Sequence, residues 1–152
     1  MTQTLEQLAR GLTPLITVSP AADAVTFYKD AFGAEELYRL TDPADGRIGH
    51  AELIIGGTLL MLADEYPEAA ALSPKSLKGS PVRLHIRVDD ADAAVDKAVA
   101  AGAELIMPVA TQFYGDKAGN VRDPFGYVWM LSQHVETVAP EEMQRRWDKM
   151  VK

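Results

Sequence analysis

The chain spells one pattern twice. Residues 16–37, ITVSPAADAVTFYKDAFGAEEL, resemble residues 86–105, IRVDDADAAVDKAVAAGAEL. Val18 matches Val88 at a shift of 70, and Gly33-Ala34-Glu35 matches Gly102-Ala103-Glu104 at a shift of 69. The shift of 69 continues through Gly57 and Gly126, Met61 and Met130, and Leu62 and Leu131. A shift held across that much chain means a duplicated unit, and the fold has to divide into two like halves.

Each copy parses as βαβββ. A short strand (Pro14–Val18; Val82–Val88) stops at a helix-start signal: Ser19-Pro20 in the first copy, Asp89 or Asp90 in the second. Apolar residues then recur at spacings of three and four: Ala21, Ala24, Val25, Tyr28, Ala31 and Phe32, and Ala91, Ala94, Val95 and Ala98. Gly33 and Gly102 stand where a left-handed helix end belongs. Three strand-like runs follow, at Glu35–Thr41, Arg47–Ile55 and Thr58–Ala63, then at Ala103–Val109, about Gly119–Arg122 and Tyr127–Gln133. The reading is an α+β fold, two tandem βαβββ modules forming a curved mixed sheet within one domain over 1–152. Module one covers about 12–63, a proline-bearing connector 64–80, and module two about 81–134. A capping box at Thr4-Leu5-Glu6-Gln7 opens a short N-terminal turn. A C-terminal helix over about 140–151 carries an apolar stripe, Met143, Trp147, Met150 and Val151, read as a docking face on this subunit or a partner.

Composition narrows the function. With 15 basic and 22 acidic residues the chain carries −7, which argues against broad contact with nucleic acid or an anionic membrane. There is no cysteine, so disulfides, thiolate nucleophiles and cysteine metal ligands are all excluded. No apolar run approaches the roughly 18 residues of a membrane span, and the start lacks a signal peptide's apolar stretch, so a cytoplasmic location is expected. There is no nucleophile elbow or phosphate loop; Gly56-Gly57 reads as a hairpin turn, and Tyr114, Asp116 and Arg122 lie in or near a hairpin, read as solvated loop with rimming of the pocket as the alternative.

Strand alternation sorts the side chains into two faces. Leu84, Ile86 and Val88, Leu60 and Leu62, Trp129 and Leu131, and Ala51, Leu53 and Ile55 belong on the side that packs on the module helices. The other side collects Arg83, His85 and Arg87, with His50, Glu52, Leu59, Met61, Val128 and Met130. A mixed apolar and polar concave face of that kind suits a ligand pocket. His50, Glu52 and His85 share it, and two histidines with a carboxylate can hold Fe(II) or Zn(II). The alternative is hydrogen-bonded pocket or interface histidines, with Glu52 paired to an arginine.

The first strand together with FYKDAFGAEE, HAELIIGG, LLMLADE and RDPFGYVWML resembles the vicinal oxygen chelate superfamily, that of glyoxalase I, extradiol dioxygenases and bleomycin-resistance proteins. Within it the chain is most similar to the PhnB-like group, over about residues 12–148. The resemblance implies a homodimer. It also implies that the superfamily's metal-ligand positions, one on the first and one on the last strand of each module, fall on Thr13, Met61, Arg83 and Met130. None of these is a normal hard-metal ligand, and Arg83 would repel a divalent cation. The sequence therefore points to metal-independent binding of a small organic ligand, with no metal or other cofactor. Thr13, His50, Glu52, Leu59, Met61, Arg83, His85, Arg87, Val128 and Met130 are the pocket candidates. The alternatives are a metal-dependent lyase, isomerase or dioxygenase using a non-standard site, and a drug-sequestering resistance protein. Whether the chain is an enzyme stays open.

Overall fold

The structure is a computed structural model and describes residues 3–152. Thr4 caps a one-turn helix α1 (Leu5–Leu8) through the capping box, its hydroxyl accepting from the Gln7 N–H while the Gln7 side chain accepts from the Thr4 N–H. Module one then runs β1 (Leu15–Thr17), α2 (Ala21–Phe32), β2 (Glu35–Thr41), β3 (Ile48–Ile55) and β4 (Thr58–Ala63). A connector with one 3-10 turn (Pro67–Ala69) and a short helix α3 (Pro74–Leu77) leads to module two. That module is β5 (Arg83–Arg87), α4 (Ala91–Ala101), β6 (Glu104–Thr111), β7 (Asp116–Arg122) and β8 (Val128–His134), and α5 (Pro140–Met150) closes the chain. None of the described helices is long and apolar enough to cross a membrane.

The α+β fold class holds, and the β-structure comes as two four-stranded mixed sheets rather than one hydrogen-bonded sheet. Their orders are β1-β4-β3-β2 and β5-β8-β7-β6, each with its first strand parallel to its last and the other neighbours antiparallel. The registers carry the repeat: Leu15 pairs with Met61 and His85 with Met130, the same shifts of 70 and 69 that the sequence shows. Both outermost strands are irregular, with bulges in the β2–β3 and β6–β7 ladders and Pro108 inside β6.

Why the modules stay together follows from which face each strand buries. The helix-side residues Leu53, Ile55, Leu60, Leu62, Trp129 and Leu131 are all buried, and with α2 they make one apolar cluster drawn from both modules. Helix α2 packs against α4 and sends Tyr28 and Phe32 onto Trp129, with ring centroids 5.3 and 4.6 Å apart. Phe27 adds an edge-on contact to Phe125 at 6.1 Å. At the centre of this contact the carboxylate of Asp123, 3% exposed, accepts from the Tyr28 hydroxyl (2.7 Å), the Trp129 indole N–H (2.8 Å) and the backbone N–H groups of Phe125 and Tyr127.

Several local expectations are corrected. Ser19 does not cap α2; the first helical N–H, of Ala21, donates to Asp64 from the connector, whose second oxygen accepts from the Ile48 N–H. In module two the expected acid does serve, since Asp90 accepts from the Ala93 N–H. Strand β7 begins at Asp116, earlier than its glycine-interrupted sequence suggested, so Asp116 is a strand residue and not a loop residue. Gly33 ends α2 at φ 66°, the left-handed geometry its position called for.

Candidate functional site

On module two the helix-free face of β5 carries Arg83, His85 and Arg87, all exposed, while Leu84 and Ile86 turn toward the core. Their neighbours are fixed by register. His85 lies beside Met130, with its Nε2 2.5 Å from the Ser132 hydroxyl. Arg87 reaches Asp116 at 3.3 Å, and the buried Asp116 also holds His134 Nδ1 at 3.1 Å, whose other ring nitrogen lies 2.9 Å from Thr137. Arg83, beside Val128, has no ion pair among the described residues. Met130 also sits beside Asn120 and receives the Tyr114 hydroxyl on its sulfur at 3.8 Å. The Asn120 side-chain oxygen is shut off from solvent with no hydrogen-bond partner among the described residues. Asp116 and Tyr114, read from sequence as more loop than pocket rim, lie beside these site-face residues; for Asp116 the missed signal was the length of β7, while Tyr114 stays in the turn before it and Asn120 falls in the strand as expected.

Module one presents a different chemistry. Glu52, beside Met61 across the ladder, accepts from the Tyr38 hydroxyl at 3.0 Å and lies 3.2 Å from His50 Nε2 through the same oxygen. Tyr38 is pushed up from the usual phenol range by that hydrogen bond. The partners of Glu52 are thus a tyrosine and a histidine, not an arginine. His85 belongs to the other sheet and bonds Ser132, so the histidine–carboxylate trio weighed as a metal site does not gather. Among the described residues no three His, Asp or Glu side chains come together in a metal-binding group.

The superfamily's four metal positions can be tested on their donors. Thr13, half-buried, precedes β1; Met61 and Met130 are half-buried thioethers; Arg83 is an exposed guanidinium. A hydroxyl, two soft sulfurs and a fixed positive charge do not make a coordination set for a hard divalent ion. No hard divalent ion fits these residues.

What the structure does build is a cleft of about 330 Å³ where the modules meet. Its walls are apolar, from Leu59 and Leu60 of β4, Leu84 and Ile86 of β5, Pro14 and Trp129, and His85 and Arg87 are the polar residues of β5 that line it. Of the ten candidates, Leu59, His85 and Arg87 therefore converge on one cavity. His50, Glu52, Thr13, Met61, Arg83, Val128 and Met130 do not line it. Leu84, Ile86 and Trp129 read from sequence as scaffold alone. Their second role depends on how one module lies against the other, which strand alternation does not encode.

Comparison with known proteins adds the family. A model of the "Glyoxalase/Bleomycin resistance protein/Dioxygenase superfamily" matches residues 7–131. The chain is 42% identical over 136 residues to an uncharacterised protein of Mycobacterium bovis, covering 88% of this chain and 89% of that one. The crystal structure of an Arabidopsis thaliana gene product superposes with a TM-score of 0.63 at 35% identity, covering 79% of this chain and 93% of that one. The PhnB protein of Bacillus cereus shares the fold at a TM-score of 0.62 and 18% identity, over 82% of this chain and 99% of that one.

Proposed function

The chain belongs to the glyoxalase/bleomycin resistance protein/dioxygenase superfamily, and from that premise we propose that it binds a small organic ligand without a metal, in the cleft between its modules. The observation that carries this reading is the cleft's composition: apolar side chains from both modules, with His85, Arg87 and Thr58 as its polar members. Apolar walls with a few placed polar groups are what ligand cavities of this size require. Arg83, without an ion pair among the described residues, stands two residues further along the same strand face and extends the favourable field for an anion. We also propose that the protein acts as a cytoplasmic homodimer. Leu12, Leu15 and Val82, at or just before the open-edged strands β1 and β5, are 95%, 64% and 54% exposed, and a second copy laid along those edges would cover them.

A thermal-shift screen of metal-free protein over organic acids tests the reading, because a ligand that binds only the native state raises its stability. An anionic ligand is expected to raise the melting temperature, and Arg83→Ala to weaken its affinity by about two- to fivefold, the worth of one exposed charge outside the cleft. Stoichiometric zinc, nickel or iron that survives chelation, or a screen in which no acid shifts the melting point, would overturn it. Sedimentation of the purified chain decides the dimer.

A further inference from the structure

The duplication gives the cleft a counterpart in the other half of the molecule, and there the equivalent space is filled. In module two the hairpin residue Tyr127, 8% exposed, reaches across to module one and donates its hydroxyl to the Thr17 carbonyl at 3.2 Å. That carbonyl lies on the open edge of β1. The Val18 N–H bonds Ala63 and the Pro14 carbonyl receives the Met61 N–H, so alternate residues of β1 serve the ladder to β4 and Thr17 points the other way. Tyr127 is therefore a phenol lodged beside an open strand edge, with its ring in the shared core and its hydroxyl on the strand's free carbonyl.

The equivalent place in the other half follows from the two shifts. Tyr127 corresponds to Thr58 and Thr17 to Arg87. The Val88 N–H bonds Ser132, which sets the Arg87 carbonyl on the open edge of β5 as Thr17 is set on β1. Threonine is too short to span what tyrosine spans, and no side-chain donor among the described residues reaches the Arg87 carbonyl. Thr58 and Arg87 are instead both walls of the 330 Å³ cleft. One half of the duplicated fold carries its own phenol, and the other half has a hole where that phenol would be.

We propose that the cleft takes a small phenol bearing an acidic group, its ring between Leu60, Leu84, Ile86 and Trp129, its hydroxyl donating to the Arg87 carbonyl, and its acid at His85 or the Arg87 guanidinium. This rests on the small-acid reading above and names the chemical class. The volume suits a one-ring ligand, at the small end of the range for such cavities. Specificity for the hydroxyl comes from the Arg87 carbonyl on the open edge of β5, which the ligand hydroxyl would engage as Tyr127 engages Thr17.

The probe is 4-hydroxybenzoate, followed by calorimetry and by nuclear Overhauser contacts from its ring protons to the Trp129 indole. Benzoate, which lacks the hydroxyl, is expected to bind at least tenfold more weakly. Thr58→Tyr, at an exposed position, should fill the cleft as Tyr127 fills its counterpart, abolishing binding while the melting temperature holds or rises. Equal affinity for the two acids, unchanged binding by Thr58→Tyr, or a thermal shift from aliphatic acids alone would overturn the phenol assignment and leave the small-acid reading standing. Silence from every organic acid would remove both. The hydroxyl comparison and the indole contacts are made in the unaltered chain, so they decide the matter even if the variant does not fold.

Discussion

Asp123 gathers four donors onto one buried carboxylate, two from side chains of the core and two from its own turn. Burial pushes its carboxyl above the usual range, and the hydrogen bonds from Trp129, Tyr28 and the two backbone groups pull it partway back. A carboxyl raised on folding binds its proton more tightly in the native state. Its contribution to stability is therefore whole below the ordinary aspartate pKa and declines as pH climbs through the raised value. Asp123→Asn should flatten that decline, seen as a smaller change in urea midpoint across the mildly acidic range. Asp123→Ala, which leaves four donors without an acceptor in the core, should destabilise by about 3 kcal/mol or more. Nothing in the string DPFG distinguishes this residue from an ordinary turn aspartate. Its first side-chain partner, Tyr28, is 95 residues away, and no local pattern reports on it.

Elements join through similar borrowed contacts. Helix α2 starts at a position whose own preceding residues provide no side-chain cap, and the connector's Asp64 holds both that start and the first residue of β3. Asp64→Ala should cost about 1–2 kcal/mol, the usual worth of an N-terminal cap with one further hydrogen bond, and hydrogen exchange should show the first turn of α2 opening before the rest. At the other end of the chain α5 is held by Arg146, which bonds the Phe113 carbonyl and Glu136, and by Trp147 on the Phe113 ring at 5.4 Å. Its stripe is thus only partly docked on its own subunit: Trp147 touches Phe113 yet stays 47% exposed, and Met150 and Val151 are open to solvent. What periodicity made legible was considerable: the order of elements, the two faces of the core strands, and the equivalence of Met61 and Met130; which residue each pairs with, Leu15 and His85, came only from the structure. Strand β7 reads from sequence as beginning near Gly119 and not at Asp116, because two glycines, Gly115 and Gly119, thin out the strand pattern there. Within the strand the glycine at 119 fits close packing, since a Cβ there would meet Val109 at 2.8 Å and the Met107 carbonyl at 3.1 Å.

At the scale of the whole molecule the two modules have one core between them, so neither can bury its helix alone. Tyr28 and Phe27 belong to module one and find their partners, Trp129, Asp123 and Phe125, in module two. The chain should accordingly unfold in one step, with calorimetric and van't Hoff enthalpies equal; two resolved transitions would mean that the modules stand independently. Sequence could say that each helix side is apolar. It could not say that the two helix sides bury each other, because apolarity names no partner, and the cleft exists only as the remainder of that packing. The sheet borders have a consequence of their own. A duplicated sheet doubles its outer rims, and each is a place where a stray chain could add a strand and start a fibre. Here the outermost strands slip register against their neighbours, and Pro108 denies one of them a backbone donor, while the inner open edges are only three and five residues long. The duplication has therefore doubled the core without giving the molecule a border along which it can grow.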